Sequence, residues 1–316
     1  MRAVGSTVLQ LVLIVFLVTI ATFSITTLGP SDPATTRLNE AQAQVEARAL
    51  IRKELGLDRP VVVRYFDWLG DALRGDLGRS VRSHQPVVDA FRERLPVTLQ
   101  LTVMAELFAL VVAIPLAAWS AHRAGGLFDR ASSALSFGLA GMPQFILGLL
   151  LVYVVALRFE WFPVTGWVRL TESLGGNLKH AFLPMLTLAA AELAVYVPVL
   201  RAEMAASLRE EYVTAARSRG LPTRHILFRE VLKPSSFGLV TLAGVNFGRL
   251  LGGAFLVEYL FALGGLGRLL TQAIRQEDYP VLQGTVLLIA VGFVVLNTII
   301  DASYRVLDPR LRSRSV

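Results

Sequence analysis

Six apolar runs, each long enough to cross a lipid bilayer, leave this chain few folds to choose from. They lie near Val8 to Leu28, Val97 to Ser120, Ser132 to Leu157, Ala181 to Leu200, Ser236 to Leu260 and Val281 to Tyr304. At a helical rise of about 1.5 Å per residue, about 20 such residues match a hydrocarbon core about 30 Å thick. Every backbone amide in that core has to be satisfied within its own segment, so each run is expected to be a helix. The fold class read from this pattern is an all-α membrane protein with six transmembrane helices. Composition agrees, since 54% of the 316 residues are hydrophobic, only 17% are charged, and the mean hydropathy is +0.56. A water-soluble domain does not need that much apolar content.

The charges orient the spans. His122, Arg123 and Arg130, then Arg201 through Lys233, then Arg305, Arg310, Arg312 and Arg314 all fall on one side of a six-span arrangement. The positive-inside rule makes that side the cytoplasm, with both termini there and residues 309–316 as a basic tail. Residues 1–29 read as an uncleaved first helix, because its apolar core is longer than a signal peptide's and Leu28-Gly29-Pro30 lacks an A-x-A site. The net charge of +7 clusters beside apolar runs, as topology requires, and does not mark a nucleic-acid surface. Residues 30–96 are the one long polar segment and predict an external helical cap between helices 1 and 2. That cap should hold a helix from Asn39 to Leu55 closed by Gly56, then the amphipathic VVVRYFDWLGDAL, then a turn at Gly75-Asp76-Leu77-Gly78. The outer loop between Arg158 and His180 offers Trp161, Pro163 and Trp167 to the interface. After the fifth span, EYLFALGGLGRLLTQAIRQEDYP predicts a Gly-kinked short helix at the outer face. The five remaining helices, residues 97–308, form the core.

Between the fourth and fifth spans, within 209–234, lies the strongly basic EYVTAARSRGLPTRHILFREVLKP, Glu211 to Pro234. Tyr212, Ala215, Ala216 and Arg219 fall at i, i+3, i+4 and i+7, one helix face with a small middle that another protein's backbone can approach. Gly220 stands where a helix C′ residue would, free of the Cβ penalty on left-handed geometry, and Pro222 suits the first turn of a second helix. Pro234 is badly placed for continuing that second helix. From its residues alone, the segment reads either as a solvated loop with helical ends or as a docking element.

Glu106, Glu192 and Arg249 fall near mid-span, where a lipid-facing charge costs about 2.5–3.5 kcal/mol on insertion scales. None is expected to face lipid. In the fifth run Gly244, Gly248 and Gly252 form a small-residue ridge suited to close packing. Asn246, Arg249 and Gly253 gather on a different face. The ridge is therefore expected to pack while the other face meets a water-filled path, which makes Glu106, Glu192, Asn246, Arg249 and Gly253 the candidate translocation-path residues. The alternative is that Arg249 pairs with Glu106 or Glu192 and only locks the bundle. Glu258, near the outer end, reads as an interfacial acid.

Signals for catalysis are missing. No G-x-x-x-x-G-K-[ST] occurs, so the chain is not expected to bind or hydrolyse ATP. Gly264-Gly265-Leu266-Gly267-Arg268 fails the dinucleotide pattern, G-x-S-x-G is absent, and His84, His122, His180 and His225 lack metal-ligand spacing. Cys is absent. The chain is read as a non-enzyme with no catalytic residue, metal site or cofactor of its own.

The string YVTAARSRGLPTRHILFREVLKP resembles the EAA loop of ABC importer permeases, with Thr214 in the Glu position, and is similar to the dipeptide/oligopeptide/nickel branch. LGLDRPVVVRYFDWLGDALRGDLGRSV resembles the external segment of the same branch, and the C-terminal LDPRLR extends the likeness over nearly the whole chain. The family departs from this sequence at Thr214, at the closing EVLKP, and at Gly264, where a proline is expected. This resemblance implies the type I importer permease fold, with a cytoplasmic coupling helix between helices 4 and 5 in a bacterial plasma membrane. It implies ATPase coupling through Glu211, Tyr212, Thr214, Ala215, Ala216, Arg219, Gly220, Leu221, Pro222 and Arg224. It also implies a second homologous permease subunit, two cytoplasmic ATPases that carry ATP and Mg, and an external substrate-binding protein. Transport of short peptides or a related small solute by alternating access is the function so implied. An ion-coupled secondary transporter working through Glu106 and Glu192, or a membrane scaffold without transport, are the alternatives.

Overall fold

The computed structural model describes residues 13–24 and 59–307. The helix expected from Asn39 to Leu55 and the basic tail lie outside the described residues. Among the described residues the helices in order are α1 Leu13–Ser24, α2 Val61–Leu73, α3 Val87–His122, α4 Leu127–Gly141, α5 Gln144–Leu151, α6 Leu174–Ser207, α7 Glu211–Ser218, α8 Thr223–Leu260, α9 Leu266–Arg275 and α10 Tyr279–Leu307. Among the described residues α3, α6, α8 and the stretch Tyr279–Thr298 of α10 are long and apolar enough to cross a bilayer.

The third expected span is not one helix. Leu127–Gly141 and Gln144–Arg158 are bent by 107° against each other, so they make a fifth span only if the pair counts as one. The cause is local. Met142 precedes Pro143 and takes the extended conformation, φ −100° and ψ 122°, that the proline ring imposes on its neighbour. Pro143 then supplies no amide hydrogen of its own, and α5 restarts behind it, continuing as π-type turns over Val152–Arg158.

Two other helix ends differ from the apolar runs. Helix α3 begins at Val87, ten residues before the apolar run, because its amphipathic first turns VVDAFRERL are helical although not apolar. The second helix of the basic segment does not end at Pro234. The chain from Thr223 runs through π-type turns at Ile226–Val231 into an α-helix starting at Leu232. Pro234 thus lies inside the continuous helix, as the third residue after the π-type turns, and does not end it.

The chain divides into two compact units. In the first, residues up to 96 together with 265–296, Leu77, Val87, Ala90, Leu266, Leu269, Ala273 and Val281 form an apolar core. Helix α2 takes the span VVVRYFDWLGDAL as expected and is followed by Gly75 and Gly78 at φ +88° and +80°. Its Tyr65 hydroxyl lies 2.8 Å from Thr19 Oγ1 of α1. Buried Asp278 accepts from Ser80 Oγ at 2.5 Å and from the Val81 amide at 3.2 Å. The second unit, 97–264 with the chain beyond 296, is built on α6. Its start is capped by Ser173, whose hydroxyl accepts the Gly176 amide. Helix α6 packs chiefly on α8, α4 and α5. Along α3 in this unit Ala105, Ala109, Ala113 and Ala117 are fully buried at i+4 spacing, a small-residue ridge of the kind that lets membrane helices approach closely.

Candidate functional site

Two places in the second unit gather the residues singled out from the sequence. One is the segment around α7. Glu211 lies in its first turn, where a carboxylate suits the positive end of the helix dipole. Val213 and Ala216 are fully buried, while Tyr212, Thr214, Ala215 and Arg219 are exposed. The face of Tyr212, Ala215, Ala216 and Arg219 is thus divided, with Ala216 turned into the chain's own core beside Val213.

Gly220 has φ +73° and sits at C′. Its amide donates to the Arg217 carbonyl at 2.9 Å and the next amide, Leu221, to the Ala216 carbonyl at 3.3 Å. This is the Schellman pair of bonds, which satisfies carbonyls the helix end would otherwise orphan. Pro222 then caps the start of α8, Leu221 is half-buried against the core, and Arg224 is exposed. Buried Ile226, Leu227 and Val231 anchor the start of α8. The result is a rigid helix and turn that leave Tyr212, Arg219, Pro222 and Arg224 on the surface.

The other place is a cavity of about 370 Å³ bounded by α4, α5, α6 and α8, whose lining includes Glu192, Arg249 and Gly253 together with Gln144, Met142 and Leu250. Glu192 Oε2 accepts from Asn246 Nδ2 at 2.7 Å, and its Oε1 lies 3.5 Å from Arg249 Nη2. Glu106 is drawn into the same region by Tyr196, whose hydroxyl lies 2.9 and 3.1 Å from the two carboxylate oxygens and donates to them. Arg249 therefore pairs with Glu192 and not with Glu106. All five candidate path residues belong to this region, but only three line the cavity.

Three readings need correction. Gly248 is buried, but Gly252 is exposed, an added Cβ there meeting nothing within 4 Å, and Gly244 is half-buried, so the three glycines do not together form the packed face of α8. The packed face runs Leu239, Ala243, Asn246, Leu250, Ala254 and Val257. The buried bond from Asn246 to Glu192 turns that face inward, because an amide or carboxylate left unpaired in the interior costs more than close glycine packing returns. Nor is Asn246 solvent-facing; it is buried. Glu258 is no interfacial acid, being fully buried and accepting from Thr98 Oγ1 of α3 at 2.5 Å.

The sequence reading passed over Tyr196, Gln144 and the Asp129–Arg201 pair. Tyr196 was detectable as the residue one helical turn beyond Glu192 in an apolar run. Arg201 was read only as one of the basic residues that orient the spans, and Asp129 was not singled out. They form a bidentate ion pair between α4 and α6, with Ser120 Oγ and the Gly125 amide also donating to Asp129 at 2.6 and 2.8 Å.

Long apolar helices pinned by buried polar pairs, with a solute-sized cavity among them, define a multi-pass membrane protein built to pass a solute. Residues 113–313 match the family described as binding-protein-dependent transport system inner membrane component, and residues 1–102 match the N-terminal part of such membrane components. The chain is 36% identical over 305 residues to a putative peptide transport system permease protein of Brucella abortus, covering 96% of this chain and 97% of that one. It is 33% identical over 290 residues to a probable peptide ABC transporter permease protein of Sinorhizobium fredii, 92% of each chain. It is also 33% identical over 320 residues to the dipeptide transport system permease protein DppB of Escherichia coli, 94% of each. The chain belongs to the binding-protein-dependent transport system inner membrane component family.

Proposed function

We propose that this chain is a permease subunit of an ATP-driven importer of short peptides. What supports the reading most is the match to peptide permeases along nearly the whole chain, joined to a rigid helix-turn segment of the kind a coupling element requires. In this reading six spans place both termini in the cytoplasm, residues 30–96 form the external cap where a substrate-binding protein docks, and 97–308 form the core. Helix α7 and its Gly220 turn are the coupling element. Glu211, Tyr212, Thr214, Ala215, Arg219, Pro222 and Arg224 meet the ATPase, while Ala216, Gly220 and Leu221 hold the element rigid. Two ATPases carry ATP and Mg, and a second, homologous permease completes the complex. ATP-driven closure of the ATPases pulls α7, and tilting of the spans opens the cavity outward. A rigid helix carries such a pull, whereas a loop without fixed hydrogen bonds would absorb it.

The test is purification of the tagged chain from its native membrane with mass spectrometry of its companions, followed by reconstitution of the complex and peptide uptake. Recovery of ATPase chains and a second six-span permease, with ATP-dependent uptake, is expected. A chain recovered alone that moves solute on a proton gradient would overturn the reading in favour of ion coupling.

A further inference from the structure

The cavity lining holds one cation, Arg249, and one anion, Glu192, and the two are held very differently. The Glu192 side chain is 2% exposed and fixed by Asn246 at 2.7 Å. The Arg249 side chain is 63% exposed, and its contact with Glu192 is a single one at 3.5 Å. A guanidinium carries five N–H donors in a planar fork matched to a carboxylate. One long contact leaves most of that fork unused by Glu192, and Arg249 lines the cavity. The anion is thus a fixed part of the wall, and the cation is a reaching arm.

We propose that Arg249 receives the free carboxylate of the transported solute, exchanging its contact with Glu192 for a bidentate pair; this rests on the reading of the chain as an importer permease. The rest of the lining fits such a ligand. Met142 and Leu250 offer apolar wall without directional demands, and the Gln144 amide can meet a peptide group. The cavity, about 370 Å³, is at the small end of the range of ligand sites, about 300–1,000 Å³. Short linear solutes with a free acid are the class that matches.

The same geometry makes the site transient, as a path requires. Glu192 is buried and tied to Asn246, so it cannot follow Arg249 into the cavity. While solute holds Arg249, Glu192 keeps only neutral partners, the Asn246 amide and the Tyr196 hydroxyl. Return of the guanidinium to Glu192 then displaces the solute carboxylate, so the wall competes with its own ligand and release is built in.

The experiment uses the complete complex with its partner subunits, reconstituted in proteoliposomes and supplied with trialanine or its C-terminal amide. Uptake of each is normalised to the fraction held by the binding protein, so that selection outside the membrane is removed. Wild type is expected to favour the free acid. Arg249→Gln is expected to lower free-acid uptake by about tenfold or more, the scale of a lost charge-assisted hydrogen bond, and to bring the acid-to-amide ratio close to one. Arg249→Lys, which keeps the charge and loses the fork, should fall between. An acid-to-amide ratio in Arg249→Gln equal to that of wild type overturns the assignment and leaves the importer reading standing. Failure of both variants to co-purify with the partner subunits also overturns it, by showing that the pair is a structural lock. Wild-type complex that carries neither peptide removes the importer reading itself, and the proposal with it.

Discussion

Asp129 closes the end of the bundle where α3, α4 and α6 meet, and its removal should cost a predictable amount. The residue is 4% exposed, and its carboxylate accepts from Arg201 Nε and Nη2, from Ser120 Oγ at 2.6 Å and from the Gly125 amide at 2.8 Å. Each hydrogen bond to a charged group contributes about 1.5–3 kcal/mol when broken singly, but four bonds sharing one carboxylate are not additive. Breaking a buried ion pair by removing one partner costs about 3–5 kcal/mol. Arg201 keeps 30% of its side chain exposed and can rehydrate, which points to the low end, about 3 kcal/mol for Asp129→Ala. At about 2–4 °C per kcal/mol for a domain of 150–250 residues, the midpoint of thermal denaturation in detergent should fall by about 6–12 °C. Asp129→Asn keeps the shape but turns an amide donor toward other donors, and should lose about 2 kcal/mol. The decisive measurement is the cycle with Arg201→Ala. The double mutant should cost less than the sum of the singles by more than about 1 kcal/mol. Additive losses, or an Asp129→Ala midpoint equal to that of wild type, would refute the reasoning.

Three further outcomes can be checked by the same denaturation assay. Tyr196→Phe removes the hydroxyl that donates to buried Glu106 and should cost about 1–3 kcal/mol, part of it recovered by adding Glu106→Gln, which loses less by going without a donor. Gly284→Ala places a Cβ 2.6 Å from Val87 Cγ1 and 3.1 Å from Leu77 Cβ and should cost about 1–3 kcal/mol, whereas Gly252→Ala meets nothing within 4 Å and should be neutral or stabilising; equal behaviour would contradict the packing described. Gly220, at φ +73°, should tolerate Asn better than Val, the latter losing about 1–2 kcal/mol. In the purified complex Gly220→Val should also lose stimulation of ATP hydrolysis by loaded binding protein, and full stimulation would argue against α7 as the coupling element.

The sequence made some of this legible because the physics behind it is local. Helix α2 followed from an amphipathic repeat and two glycines, and the turn at Gly220 followed from a glycine at the C′ position and the proline two residues on. Apolar length located the spans but not their ends, since the first turns of α3 are helical but amphipathic, with Val87 and Ala90 buried and charged residues interspersed. The break at Met142-Pro143 was equally local and was written in the sequence, but a hydropathy window averages over one proline. Partner choice was not legible. Hydropathy shows that Glu106, Glu192 and Arg249 avoid lipid, yet it cannot say that Glu106 turns to Tyr196 and Arg249 to Glu192. The same limit explains the misplaced ridge on α8. Glycine spacing advertises a face that can pack closely, but a buried Asn246 decides which face does.

That limit also explains why α6 carries so many of the polar pins. Lipid tails are as apolar as leucine, so apolar contact does not choose between one helix neighbour and another, and register has to come from small residues and polar pairs. Helix α6 pairs Asn177 with Gln100 and Tyr196 with Glu106 on α3, Glu192 with Asn246 and Arg249 on α8, Arg201 with Asp129 on α4, and Ser207 with Ser235 on α8. Each pin points at a different height or neighbour, so no one-turn slip of α6 keeps them all. Most of these partners are buried and lie within about 3 Å, the ordinary range of a hydrogen bond. The Arg249 contact is the longest of the set, at 3.5 Å, and its guanidinium side is largely exposed. A bundle held rigid by its other pins can afford one loose pair, and it lies where Arg249 and Glu192 line the cavity.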